Sequence, residues 1–228
     1  MKNIRRRSLR LSLTALCLLP ALACGNPDSG APPAEALKNE TPAPRRDVFL
    51  FLGDSLTAGY GVAQDEAYPA LLERKWKKNK IPFHVKNAGV SGSTSKGVLE
   101  NLDWNLTENV HTVFLAVGAN DGLRGQDLAK TEENIDGIVK ICRSRGIRVV
   151  LAGMKIPPNY GAAYAENFSG MFRRVARNNG LKLMPFLLED VAARPDLNIS
   201  DGIHPNALGH AKMAENVHRF LSQEGLLR

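Results

Sequence analysis

Ser55, Asp201 and His204 are residue types that together can transfer an acyl group. Ser55 stands in Gly53-Asp54-Ser55-Leu56-Thr57-Ala58-Gly59, directly after the apolar run Val48-Phe49-Leu50-Phe51-Leu52. A serine just past a buried strand, opening a helical turn, has its oxygen at the strand's carboxyl end. Backbone N–H groups nearby can then face a developing oxyanion. The same serine also suits a capping role in a Gly-rich turn. The pattern is not G-x-S-x-G and no Gly-Lys-Ser/Thr follows, so neither the nucleophile elbow of α/β-hydrolases nor a phosphate loop is indicated. Near the other end, Asp201-Gly202-Ile203-His204-Pro205-Asn206 sets a carboxylate three residues before an imidazole. The carboxylate can fold back onto one ring nitrogen and leave the other as general base toward a hydroxyl. Pro205 is placed to start the helix that follows.

Two further loops offer oxyanion donors. In Asn87-Ala88-Gly89-Val90-Ser91-Gly92 the Gly89 N–H can approach a substrate oxygen with no Cβ in the way, although a plain flexible turn has the same look. In Gly118-Ala119-Asn120-Asp121-Gly122-Leu123-Arg124-Gly125 the Asn120 amide is a neutral donor, although Asn is common in turns. Asp54 reads as a structural hydrogen-bonding residue beside Ser55. No metal is expected: Asp201 and His204 lack a third ligand, His210 falls within a helix, and His84, His111 and His218 have no carboxylate or cysteine at ligand spacing.

Stepping along the chain, strand and helix patterns alternate. Continuous apolar runs ending in glycine mark buried parallel strands at 48–52 and 112–117; further strands are expected at 84–87 and 148–152, and a weaker one at 181–184. Helical periodicity covers 66–79, 95–104, 127–145, 162–179 and 206–222. The alternation predicts a three-layer α/β/α domain around a parallel five-stranded sheet, with ligands beyond the strands' carboxyl ends. The loops after Leu52, Asn87, Val117 and Ala152 then share one edge.

With these four loops in this order, the chain resembles the SGNH hydrolases, also called the GDSL family, from about Val48 to Leu221. Ser55, Gly89, Asn120 and His204 match the four residues of the family name, with Asp201 as partner to the histidine. The resemblance implies a flavodoxin-like sheet, with Ser55 as nucleophile, His204 as base and Asp201 as its orienter. It also implies an oxyanion hole of the Ser55 and Gly89 N–H groups and the Asn120 amide, and no metal or cofactor. The 118–125 loop and Ile156-Pro157-Pro158-Asn159-Tyr160-Gly161 look like the bacterial thioesterase I, lysophospholipase L1 and arylesterase group, periplasmic or secreted enzymes that cleave acyl esters and thioesters. Ala119 stands where that group commonly has glycine. The implied substrate is a small-molecule or lipid acyl ester, with Leu123, Met154, Ile156 and Tyr160 as acyl contacts or, equally, as core. The alternatives are an O-acetyl esterase acting on cell-wall or surface carbohydrate and a catalytically inactive surface-binding lipoprotein.

Composition bounds the setting. The chain has 228 residues, 43% of them hydrophobic, and a formal charge of +7. The segment before Cys24 holds five cations and no acid, so its removal leaves +2, and nucleic acid is not an expected partner. Residues 1–23 have signal-peptide anatomy: a basic start, an apolar stretch from Leu11 to Leu22, then Ala21-Leu22-Ala23-Cys24. Cys24 fits a lipidated N-terminus and Ala21-Leu22-Ala23 an ordinary cleavage site; the lipoprotein is favoured because residues 25–46 read as a flexible tether. The expected location is therefore exported, anchored to a membrane through Cys24, with a periplasmic or secreted protein as the other outcome. The folded domain should span 47–228. Cys142 sits in a predicted helix and reads as a small core residue.

Overall fold

The interior strand β1 (Val48–Gly53) is buried along its whole length, which is why its sequence is a continuous apolar run rather than an alternating one. The computed structural model describes residues 47–228; the expected signal peptide, Cys24 and the linker through residue 46 lie outside the described residues. Five strands pair in parallel in the order β2-β1-β3-β4-β5, as expected. The others are β2 (His84–Gly89), β3 (Val110–Ala116), β4 (Arg148–Ala152) and β5 (Lys182–Met184). β2, at the sheet edge, is only half buried and reads as polar.

The helices are α1 (Ser55–Ala58), α2 (Tyr68–Lys78), α3 (Ser95–Glu100), α4 (Leu102–Asn105), α5 (Ala119–Leu123), α6 (Leu128–Ser144), α7 (Ala162–Asn178) and α8 (Ala207–Gln223). The β1-to-β2 crossover runs one way along the sheet and the β3-to-β4 crossover the other. Right-handed connections then put α2 and α6 on opposite faces. α8 packs with α2, and α3 and α7 pack with α6. The two crossovers diverge between β1 and β3, so the crevice beyond their carboxyl ends is the ligand position of such sheets. Ser55 and Asn120 sit in the loops at those two ends.

Buried aromatic rings fill the α2 face: Trp76 meets Phe49 edge-on at 5.1 Å, and Tyr68 meets Phe51 at 5.6 Å. Beneath the opposite loops, the buried Asp121 carboxylate accepts from Ser95 N–H at 2.9 Å and Ser95 Oγ at 2.6 Å, tying α5 to α3. Cys142 is fully buried, and burial pushes its thiol up to about 11, as befits a core residue. One local expectation is corrected. Pro205 does not start α8; it bridges Asn198 in antiparallel pairing, and Asn206 caps the helix by accepting from Gly209 N–H at 3.0 Å.

Candidate active site

Asp54 begins the site. Its Oδ1 accepts from Leu56 N–H at 3.0 Å and so caps α1, which turns the chain out of the sheet directly after β1. Ser55 is therefore the first residue of a helical turn at the crevice. Its Oγ lies 2.9 Å from His204 Nε2. His204 Nδ1 lies 2.7 Å from Asp201 Oδ2, while Asp201 Oδ1 accepts from both Ile203 and His204 N–H at 3.0 Å. The carboxylate is thus held by its own loop before it holds the ring. Partial burial pushes the Asp201 carboxyl up, but the bonds from Ile203 N–H and from His204 outweigh it and keep the carboxyl below its ordinary range. It stays ionised and fixes the proton of His204 on Nδ1, leaving Nε2 as an acceptor for the serine proton. Tyr60 lays its ring 4.7 Å from the His204 ring.

Asp54 has a second property. Its Oδ2 is buried without a hydrogen-bond partner, and burial raises the carboxyl to about 6 against the pull of Leu56 N–H and His204. The structural role expected of Asp54 is present, together with a carboxyl that titrates unusually high.

Gly89 and Asn120 are both brought to the crevice, but for a different reason in the case of Gly89. A Cβ there would lie 2.2 Å from Ala58 N and 2.6 Å from Thr57 C. The glycine is needed so that β2 can lie against the backbone of α1. Its N–H donates to Asn87 Oδ1 at 2.9 Å, and Asn87 Nδ2 donates to Thr57 O at 2.9 Å, so Asn87 clamps the two loops together. Asn120 Nδ2 donates one bond to Ser93 O at 3.0 Å, and its Oδ1 accepts from Arg124 at 3.3 Å. The amide therefore has one N–H left to offer into the crevice.

A cavity of about 360 Å³ opens beside Ser55 and His204, within the range of small-ligand sites. Leu123, Met154 and Ile156 line it. Tyr160 does not: its hydroxyl donates to Leu123 O at 2.9 Å and its ring stacks toward Tyr164, so it braces the wall from outside. The opposite wall was not foreseen. Phe186, Leu188, Ala192 and Ala193 supply it from the turns between β5 and α8, where no helical or strand period signals a buried face. Among the described residues no group of three His, Cys, Asp or Glu side chains converges as a metal site.

The family model of the GDSL-like lipase/acylhydrolase family matches residues 51–212. Over 171 residues the chain is 36% identical to esterase TesA of Pseudomonas aeruginosa, spanning 75% of this chain and 85% of that protein. It is 37% identical over 161 residues to thioesterase 1/protease 1/lysophospholipase L1 of Escherichia coli K12, spanning 70% of this chain and 76% of that one. Among solved structures, psychrotrophic esterase EstA from Pseudoalteromonas sp., inhibited by monoethylphosphonate, superimposes with a TM-score of 0.75 at 32% identity, covering 78% of this chain and 97% of EstA.

Proposed function

The chain belongs to the GDSL-like lipase/acylhydrolase family and is an ester hydrolase; from that premise we propose that it cleaves medium- to long-chain acyl esters or thioesters through an acyl-enzyme on Ser55. The observation that carries this reading is the continuous path Ser55 Oγ–His204 Nε2 at 2.9 Å and His204 Nδ1–Asp201 at 2.7 Å.

The geometry supports the following chemistry. Ser55 Oγ attacks the acyl carbon as its proton passes to His204 Nε2, and Asp201 stabilises the imidazolium. Negative charge gathers on the former carbonyl oxygen, for which the Ser55 N–H, the remaining Asn120 N–H and the Gly89 N–H are the proposed donors. Gly89 reaches that oxygen once Asn87 Oδ1 shares or yields the bond. Collapse breaks the ester C–O or thioester C–S bond, and His204 returns the proton to the leaving alcohol or thiol. Water then attacks the Ser55 ester, again losing its proton to His204, and releases the acid with Ser55 Oγ–H restored. Inhibition of the EstA relative by a phosphonate, a class that mimics the tetrahedral acyl intermediate, supports a serine route.

The apolar cavity walls support a preference for longer acyl chains. Each methylene removed from water contributes about 0.8 kcal/mol, roughly fourfold in kcat/KM, until the cavity is full. A p-nitrophenyl ester panel should therefore show octanoate hydrolysed far faster than acetate. A preference for acetate would favour the carbohydrate O-acetyl esterase instead. The same proposal places the enzyme outside the cytoplasm, held to a membrane by lipid on Cys24. Intact mass of the exported chain tests that part, with an unlipidated N-terminus counting against it.

A further inference from the structure

We propose that the carboxyl edge of the sheet docks on a phospholipid bilayer, so that Ser55 draws acyl chains from the membrane surface rather than from bulk water. This rests on the hydrolase reading above and names where its substrate is met.

Six large hydrophobic side chains stand exposed on the described surface. Five of them gather at the carboxyl edge: Tyr60, Val90, Tyr160, Ile203 and Leu208. They come from four separate connections. Tyr60 follows α1 and lies against His204; Val90 follows β2 and its N–H donates to Gly53 O. Tyr160 follows β4 and is bonded to Leu123 O. Ile203 and Leu208 flank His204, one in its loop and the other in the first turn of α8. Only Trp104, in α4 ahead of β3, is on the other edge. Exposed apolar groups scattered singly need no explanation, whereas five of them on the edge where the cavity opens point to a contact surface.

The occupant is fixed by the cavity that opens on this edge. The cavity beside Ser55 is walled by apolar side chains, Ile203 among them, and opens within this edge. A partner seated here has to deliver an acyl chain into it, which a bilayer does. The exposed Arg124 and Lys155 stand at the same edge, Arg124 against Asn120 and Lys155 over the Phe186 ring at 4.7 Å. Cations and tyrosines beside apolar side chains suit a phosphate headgroup layer.

The test uses the exported full chain with Cys24→Ser, so that no lipid confounds it, and vesicles of phosphatidylcholine with a minority of phosphatidylglycerol. Two readouts run in parallel: co-sedimentation with the vesicles, and hydrolysis of a soluble p-nitrophenyl butyrate. The Cys24→Ser chain should sediment with vesicles and remain bound in high salt. Val90 and Leu208 are 61% and 65% exposed, so Val90→Ser with Leu208→Ser should keep the fold and the soluble-ester rate. That double variant should lower vesicle partition at least about tenfold. No sedimentation, or sedimentation that the double variant leaves unchanged, would overturn the proposal. So would a dimer, seen without vesicles, that the double variant dissolves, since the surface would then belong to a second copy. Absence of soluble-ester hydrolysis in the unmutated chain would strike the hydrolase reading instead, while vesicle partition still reports on the surface.

Discussion

His204 and His210 stand six residues apart in the chain and serve opposite purposes. His204 lies in the loop before α8, half-buried, with Asp201 on one ring nitrogen and Ser55 on the other. His210 lies one turn into α8 with no exposure. Its Nδ1 accepts from Tyr68 N–H at 3.3 Å, its Nε2 has no partner, and its ring stacks over Tyr68. Burial lowers it to about 4, so it stays neutral across the physiological range. The difference teaches that an imidazole becomes a proton carrier only where a carboxylate and an accessible hydroxyl are aligned with its two nitrogens. Buried away from water and with no hydroxyl aligned to it, the same ring is a packing element that accepts one backbone bond.

The largest expected effect separates the two rings directly. His204→Gln should lower kcat about 10⁴-fold or more with the thermal midpoint near that of the native chain. His210→Gln should leave kcat within a few-fold and move the midpoint instead. Esterase rates and calorimetry on the two variants give both readings, and a collapse of kcat in His210→Gln would break the distinction.

A middle-sized effect concerns stability against pH, in which His210 is opposed by Asp54. Unfolded imidazole takes a proton near 6.5 but folded His210 only near 4, so acidification across that window favours the unfolded chain. The unfolded Asp54 carboxyl takes its proton near 3.8 but the folded one near 6, so acidification from 6 to 3.8 favours the folded chain. Each shift corresponds to about 3 kcal/mol. The two contributions nearly offset one another in the native chain. Urea titrations at stepped pH should show His210→Gln gaining stability as pH falls from 6.5 to 4, and Asp54→Asn losing it over the same range. Parallel curves for the two variants would contradict the assigned environments.

The smallest effect sharpens the link between the regions. Tyr68 stacks on His210 and shares a hydrogen bond of 3.1 Å with Thr57 Oγ1, two residues past Ser55. Tyr68→Phe should cost about 1 kcal/mol in denaturant stability and change kcat less than tenfold. A rate loss like that of His204→Gln would mean that the buried turn takes part in the chemistry.

Much of this was legible in the sequence where residue pattern and physics coincide. β1 and β3 are continuous apolar runs because both of their faces are covered. Asp201 and His204 are close enough in the chain that a single loop can pair them. Gly89 was identified, but the packing reason was not: its missing Cβ makes room for Ala58 N of α1, a contact 31 residues away that no local pattern encodes. Tyr160 had the right loop and the wrong orientation, because the pull of Leu123 O on its hydroxyl is a tertiary event. The wall made by Phe186, Leu188, Ala192 and Ala193 was invisible because turns carry no period. The turn that carries them is held by Asn198, whose Nδ2 donates to Val191 O and Arg194 O at 2.7 Å each.

The central claim is that Ser55 is the nucleophile and His204 its base. Reaction of the folded full chain with a fluorophosphonate probe, followed by peptide mapping, tests it most directly. The account predicts one adduct, on Ser55, formed much more slowly in His204→Gln and absent from Ser55→Ala, which should also lose ester hydrolysis. An adduct on another residue, or a Ser55→Ala chain that still labels and hydrolyses, would contradict it.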